Sequence, residues 1–374
     1  MRVMFCASGG FGELTQGLAV ARYLRKKKDV VSFISRDDSL LELIKAEGFS
    51  SHKVNSPDES IKLINGFDAD FVFMCNSKTA YIGKSATLTK KPANAMVCCL
   101  DSNWLFLNDK RTCRENCNFT SPDFLDRIYI VFPENIYKAN LQENGGHYKI
   151  IPFFKKRIIA PGFIPGGIRI SKKERDKFRK KYGIAKGDKL VFLYFGQRYK
   201  KIKPYFEKVA NDIFCELNKK GKVWLMTKHK FNITAPWYMH LKKLFKDERE
   251  FETAIDAADL VIQHHGMGTL PKCIRQQTPV LCYVPPLKKE LPYYIHLETY
   301  EVKPFVKMGV CKMVAYDNYL LAKESIKELL YNKELIENMK CNQKLHFSNG
   351  EKGCYDDLKN LLRKKKKNTK IKSK

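Results

Sequence analysis

The sequence predicts an α/β protein of two similar domains, each built on a parallel sheet, with the two sheets facing a cleft. Three observations carry this expectation. Apolar strand-like runs alternate with helix-like runs both before and after residue 165, and such alternation builds βαβ units. The alternation breaks once, at Pro161-Gly162-Phe163-Ile164-Pro165-Gly166-Gly167, a Pro/Gly cluster typical of a linker. The 374 residues suffice for two domains of ordinary size.

The elements follow in order. Val3–Ala7 reads as a strand, and Thr15–Lys26 carries Leu18, Ala19, Ala21, Tyr23 and Leu24 at helical spacing. Val30–Ser35 is a second strand, and Ser39–Glu47 a helix closed by Gly48. Phe71–Cys75, Ala95–Leu100 and Arg127–Phe132 are further buried-strand candidates. After the linker come a charged helix (Ser171–Tyr182), a strand (Leu190–Phe195), a helix (Tyr205–Asn218) and a strand (Val223–Thr227). Glu250–Ala258 is a short helix, Leu260–Gln263 and Pro279–Val284 are strands, and Glu324–Leu330, Leu335–Cys341 and Tyr355–Leu362 are late helices. The expected domains are 1–163 and 164–345, followed by a C-terminal helix and a disordered basic tail over 346–374.

Composition narrows the class. With 44% hydrophobic and 29% charged residues, the chain is neither collagen-like nor disordered. No apolar run approaches the roughly 20 residues needed to cross a bilayer, and the first strand is too short for a signal peptide. A cytoplasmic setting is expected, with peripheral contact to the inner, anionic membrane face as one option. The net charge is +29, and Arg363 to Lys374 hold eight Lys/Arg and no acid. Such a balance favours phosphate-bearing partners without choosing among nucleic acid, membrane and phosphorylated small molecules, and a lysine-rich genome would produce it too. The 12 cysteines lack the repeated CxxC spacing of metal knuckles, so buried, reduced thiols are expected. No Asp/Glu/His cluster demands a metal, and no cofactor is expected.

Two loops carry chemistry. The first is Ser8-Gly9-Gly10-Phe11-Gly12-Glu13, between the first strand and the first helix. Its glycines permit tight curvature and close approach to a ligand, and the helix that follows near Leu14-Thr15 points its amide end at the loop. It is not the GxGxxG of dinucleotide sites, and Ser35-Arg36-Asp37 stands where an acid would end the second strand, so a NAD-dependent enzyme is not expected. The second is Gln263-His264-His265-Gly266-Met267-Gly268-Thr269-Leu270-Pro271. A buried strand runs into it, Thr269 is a natural N-cap, and Pro271 suits the first helical turn. Amides of Gly268, Thr269 and Leu270 would then form a diphosphate cradle.

At these residues the sequence resembles the two-domain glycosyltransferases of the GT-B fold, whose two Rossmann-like domains bind acceptor and donor. It is most similar to the branch holding the MurG-like peptidoglycan N-acetylglucosaminyltransferase and the macrolide and plant-type nucleotide-sugar transferases. The resemblance rests on Ala258-Asp259-Leu260-Val261-Ile262, on His264-His265-Gly266-Met267-Gly268-Thr269, on Thr278-Pro279-Val280-Leu281-Cys282-Tyr283-Val284-Pro285, and on the first loop through Gly17-Leu18-Ala19-Val20-Ala21. It implies a hexosyltransferase moving a sugar from a nucleotide diphosphate, UDP by resemblance, to an acceptor hydroxyl without a metal. It implicates His264, His265, Gly266, Met267, Gly268 and Thr269 at the donor diphosphate, with Gly196 and Arg198 in a second phosphate loop and Glu290 near the sugar. Gly9, Gly10, Phe11 and Gly12 would form the acceptor loop, with Glu13 at the position of the family's basic His. Glu13 is either the base or an acid stabilised by the helix dipole. Arg198 either pairs with phosphate or is an exposed turn residue.

One departure stands out. The family's ribose-binding Glu, eight residues after the first His, is replaced by Lys272, which cannot accept hydroxyl protons. The acceptor is unspecified, lipid-linked or polysaccharide; Lys78, Tyr81, Lys84, Lys90, Lys91, Trp104 and Phe106 either meet a membrane surface carrying a lipid-linked acceptor or form an ordinary solvated face with core aromatics. Alternatives on the same fold are a nucleotide-sugar hydrolase or epimerase. A non-catalytic binder of nucleotide sugar or nucleic acid is a further alternative, although no specific nucleic-acid module is found.

Overall fold

Strands buried on both faces need continuous apolar sequence, and Val3-Met4-Phe5-Cys6 supplies it at the centre of the first sheet. A computed structural model of the chain describes residues 1–7, 11–75, 88, 91–101, 125–143, 156–196, 199–219, 221–241, 248–264, 268–287 and 297–372. The chain divides into two units, Met1–Gly166 with Ser348–Lys374, and Gly167–Phe347.

The first unit holds seven parallel strands: β1 (Arg2–Ala7), β2 (Val30–Ser35), β3 (Ser50–Lys53), β4 (Phe71–Met74), β5 (Met96–Asp101), β6 (Leu125–Ile130) and β7 (Ile158–Ile159). Their order is β3-β2-β1-β4-β5-β6-β7. Its helices are α1 (Phe11–Lys26), α2 (Asp38–Ala46), α3 (Pro57–Gly66), α4 (Glu134–Glu143) and the last helix of the chain, α12 (Gly350–Lys372). Caps fix where the crossovers begin. Asp37 accepts from the Ser39 amide at 2.8 Å to open α2, and Ser56 accepts from Glu59 at 3.2 Å ahead of Pro57 to open α3. On one face of the sheet Phe33, Phe5 and Phe73 stack at 4.9 and 5.1 Å, and Tyr129 continues the stack at 5.7 Å. Tyr129 comes from β6, beyond β5, so the rings lean together over the small Cys98 that lies opposite Phe73.

The second unit has six parallel strands: β8 (Lys189–Tyr194), β9 (Val223–Thr227), β10 (Tyr238–His240), β11 (Leu260–His264), β12 (Val280–Val284) and β13 (Lys312–Ala315). Their order is β10-β9-β8-β11-β12-β13. Its helices are α5 (Lys172–Lys181), α6 (Tyr199–Asn218), α7 (Glu248–Ala257), α8 (Leu270–Gln276), α9 (Leu297–Lys307), α10 (Tyr319–Tyr331) and α11 (Lys333–His346). Ser171 and Glu174 form a reciprocal capping box at α5. Val191, Leu193 and Phe195 of the β8 strand and the residue after it join Phe206, Phe231 and Tyr283 in one core. The fold class is the expected one: two α/β units on parallel sheets.

The structure departs from the reading of the sequence in several places. β3, β7, β10 and β13 escape it because they are short edge strands, and β3 is Ser-Ser-His-Lys, without an apolar pattern; the helices α3, α4 and α9 are also outside that reading. α1 starts at Phe11, so Gly12 and Glu13 lie in its first turn and not in a loop. The disorder expected over the basic tail is replaced by helix as far as Lys372. Nor is that C-terminal segment an appendage, since it belongs to the first unit. Cys354 and Leu358 are buried there, and Asp357 accepts from Tyr129 Oη at 2.8 Å and Arg127 Nε at 3.1 Å. Once one turn is anchored so, the Leu-, Lys- and Arg-rich remainder propagates easily. The thiols conform to expectation in the described part: Cys6, Cys75, Cys98, Cys99, Cys273, Cys282, Cys311 and Cys354 are buried and unbridged, with Cys215 and Cys341 exposed and also free.

Among the described residues no helix is long and apolar enough to cross a membrane. The Asp357 anchor gives a direct expectation. Asp357→Ala leaves the Tyr129 hydroxyl and the Arg127 guanidinium without their shared acceptor, so urea unfolding should show a loss of about 2 kcal/mol. Limited trypsinolysis should release the C-terminal helix first, and an unchanged cleavage pattern would contradict this role.

Candidate functional site

In an open parallel sheet, ligands bind beyond the carboxyl ends of the strands where winding reverses. The second unit reverses between β8 and β11: β9 and β10 lie on one side of β8, and β11, β12 and β13 on the other. The two strands pair Ile262 with Leu193 and Gln263 with Tyr194. Their exits are Phe195-Gly196 and His264, the two stretches the sequence marks as phosphate loops.

These exits touch. Gly196 has φ +50°, a left-handed conformation, and a Cβ placed on it would lie 3.0 Å from His264 Cε1. A glycine is therefore required twice over, for the backbone angle and for the ring packed against it. Beyond His264 the chain resumes at Gly268-Thr269 and enters α8. Thr269 does not act as the expected cap. Its backbone is already helical, at φ −103° and ψ −40°, and its buried side chain makes no capping hydrogen bond. The Thr269 carbonyl instead takes the amides of Lys272 and Cys273 at 3.1 Å each. A Cβ on Gly268 would meet no atom within 4 Å among the described residues. Arg198, His265, Gly266, Met267 and Glu290 lie outside the described residues.

The sequence offers a cation, Lys272, where the family resemblance implies a ribose-binding acid; its side chain is 4% exposed and turned into an ion cluster. Its ammonium lies 2.8 Å from Glu248 and 3.7 Å from Glu252, both on α7, and 5.2 Å from the Phe251 ring centre. Glu252 is fully buried and also accepts from the Ile168 amide at 2.5 Å and from Gln276 Nε2 at 3.3 Å. Burial pushes the Glu252 carboxyl up to about 7, against the downward pull of Lys272 and the Ile168 amide. Position 272 thus helps bind α8 to α7.

The structure also brings together residues the sequence does not mark. Tyr194 ends β8 half-buried, packed edge-on against Phe251 at 5.0 Å and 5.7 Å from the His229 ring that follows β9. Burial first, then Lys228 and His240, pulls His229 down to about 4, so the ring is neutral near pH 7. An aromatic residue at the carboxyl end of a strand beside the glycine exit is the signal that would have found this shelf.

The first unit reverses between β1 and β4. α1 leaves β1 there, and Gly17 lets it lie directly on Cys75 after β4, since a Cβ would collide with the thiol. Glu13 is partly buried in the first turn of α1. It lies close enough to Cys75 to add to the rise in that thiol's pKa, which comes first from burial and then from Cys6. Gly9 and Gly10 lie outside the described residues, as do Lys78, Tyr81, Lys84, Lys90, Trp104 and Phe106. Phe11 opens α1, and Gly12 is exposed. Lys91 is described and pairs with Asp126 at 2.7 Å. Among the described residues no group of three or more His, Cys, Asp or Glu side chains is placed to hold a metal ion.

No protein-family model matches the chain, and no curated protein does. Solved structures do. The chain is similar to Staphylococcus aureus MnaA determined with UDP, at 13% identity over 97% of each chain and a TM-score of 0.65. The glycotransferase of kitacinnamycin superposes with a TM-score of 0.61 at 11% identity, covering 95% of this chain and 98% of that one. Acinetobacter baumannii MurG gives 0.56 at 12% identity, covering 96% and 99%. The protein therefore has the GT-B fold.

The Glu252 cluster predicts a pH dependence. A carboxyl raised from 4.5 to about 7 on folding stabilises the native state fully below pH 4.5 and loses that contribution as pH rises through 7. The free-energy difference between wild type and Glu252→Gln, measured by urea unfolding, should shift against wild type by about 3 kcal/mol from pH 4.5 to pH 8. A pH-independent difference would contradict the assignment.

Proposed function

We propose that the protein is a metal-independent glycosyltransferase. It moves a sugar from a nucleotide diphosphate, UDP in our reading, to an acceptor hydroxyl. The observation that supports this most is the meeting of the Gly196 and His264 exits at the winding reversal of the second unit, with Gly268 and Thr269 leading into α8. A diphosphate at that point would meet main-chain amides and the His264 ring, which is how such strand ends hold anions.

In this reading the acceptor oxygen attacks the anomeric carbon as the bond from that carbon to the diphosphate oxygen breaks. The proton leaves the acceptor for a carboxylate, for which Glu13 is our choice. The negative charge that grows on the leaving diphosphate is stabilised by the amides of Gly268, Thr269 and Leu270 and by a cation, Arg198 being the candidate. Fixed dipoles aimed at the leaving group lower the barrier without reorganising during the reaction. Lys272, held by Glu248 and Glu252, takes no part, so ribose recognition passes to other groups. Tyr194 at the end of β8 and His229 after β9, with rings 5.7 Å apart, are our candidates for packing a nucleobase. The acceptor is left open, a lipid-linked molecule or a polysaccharide being the candidates.

An epimerase reading is kept alongside because a putative UDP-N-acetylglucosamine 2-epimerase from Listeria monocytogenes is also similar in structure, with a TM-score of 0.61 at 13% identity over 94% of this chain and 93% of that one. The two are separated by turnover: an epimerase converts the nucleotide sugar alone, a transferase releases nucleoside diphosphate only with acceptor present.

Thermal shift with a panel of nucleoside diphosphates and their sugars tests the donor site. Because the Cβ position at Gly268 is open, Gly268→Ala should keep nucleotide stabilisation. Gly268→Asp adds a negative charge at the cradle and should weaken binding by about 10-fold or more, or about 1.4 kcal/mol. No stabilisation of the wild type by any nucleotide would refute the donor site. On an identified acceptor, Glu13→Gln should lower kcat by about 100-fold with donor KM nearly unchanged; undiminished turnover would remove Glu13 from the mechanism.

A further inference from the structure

A tyrosine whose ring is buried and whose hydroxyl has no partner weakens a core, because the O–H gives up water and gains nothing. Tyr283, in β12, is such a residue. Its side chain is fully buried, and its hydroxyl has no hydrogen-bond partner among the described residues. Apolar rings enclose it, with the centres of Phe195 and Phe206 at 5.6 and 5.8 Å. Phenylalanine would fill the same space without the polar atom. An orphaned hydroxyl in a native core therefore needs a reason other than packing.

Its place in the sheet supplies one. β11 lies between β8 and β12, and Tyr283 stands in register with His264 of β11. Ile262, two residues before His264, belongs to one core with Phe195 and Tyr283. Residues two apart in a strand share a face, so His264 is rooted on the face that carries both rings. Phe195 follows β8, on the far side of β11, and the Tyr283 ring reaches it only by leaning across β11 past the root of His264. The His264 ring in turn packs over Gly196, the residue after Phe195. Phenol and imidazole thus converge on one strand exit.

We propose that the Tyr283 hydroxyl is reserved for the His264 imidazole and fixes its proton when a diphosphate binds. The inference rests on the donor-site reading above and adds a positioning residue to it. A neutral imidazole has one N–H and one bare nitrogen, and what the bare nitrogen meets decides where the proton sits. A diphosphate oxygen accepts only from the N–H. With the Tyr283 O–H donating to the other nitrogen, the N–H stays aimed at the anion. The hydrogen bond left unmade in the free core is then made in the complex, and its gain appears as affinity for the ligand.

Tyr283→Phe removes the hydroxyl and keeps the ring, so it is the test. UDP and inorganic pyrophosphate are titrated calorimetrically into the full chain, and the imidazole nitrogens are followed by NMR, with the His264 signals assigned through His264→Asn. Tyr283→Phe should bind both probes about 10-fold more weakly than wild type, the worth of one hydrogen bond. Its urea midpoint should be no lower than that of wild type, and ligand-bound His264 should change from one tautomer to a mixture. Phe206→Leu loosens the same ring cluster without touching the hydroxyl; it should lower the midpoint and leave affinity and tautomer as they are. An equal affinity loss in Phe206→Leu would mean packing alone and overturn the proposal. So would a lower midpoint in Tyr283→Phe, which would mean that the hydroxyl is already bonded in the free protein. Unchanged affinity and tautomer in Tyr283→Phe would overturn this inference and leave the donor site standing, whereas failure of wild type to bind either probe would remove both.

Discussion

Every parallel sheet must cover both faces and return each strand to the same edge, and from that constraint most of this molecule follows. The return needs a helix, and a row of strands started at its middle has to be wound outward in one direction and then in the other. Both units start in the middle, at β1 and at β8. At each reversal the two neighbouring crossovers leave on opposite faces. Gly17 of α1, against Cys75, and Gly196, against His264, allow backbone and side chain to approach where a Cβ would intervene. Thus the same geometry that buries Phe5, Phe73, Phe192 and Ile262 brings polar main chain to one edge.

The second unit also shows how a buried cation is accommodated. Taking an ammonium out of water is costly unless it is paired, and removal of one partner leaves an uncompensated charge. Lys272 has two carboxylates and an aromatic face around it, and Glu252 in turn holds the Ile168 amide near the start of the unit. The cluster ties α8, α7 and the chain after Gly167 into one body. A residue that looks like a lost ligand in one dimension is a structural strut in three.

Much of the architecture was legible before any coordinates. Strands of four or more apolar residues, such as β1, β4, β8, β11 and β12, announce themselves because burial on both faces leaves no polar alternation. Long helices with an apolar stripe do the same. Edge strands did not, since Ser50–Lys53 and Tyr238–His240 have one side to solvent and few residues to show a period. The start of the first helix was misplaced by a few residues, at Thr15 and not Phe11, and Thr269 holds the N-cap position of α8 without the expected side-chain bond. The tail was misjudged because charge density alone reads as disorder, while the anchors that order it, Arg127 and Tyr129, lie more than 220 positions away.

What the sequence alone determined is local: the alternation of elements and the apolar central strands, which are written in spacing and side-chain type over a few residues. Tertiary structure decided which of these meet. It set Gly196 against the His264 ring, turned Lys272 inward to Glu248 and Glu252, and returned α12 to the first sheet. Each of these is a contact between residues far apart in the chain, fixed by strand order and by the need to pair buried charge, and neither quantity is expressed in any short window of sequence.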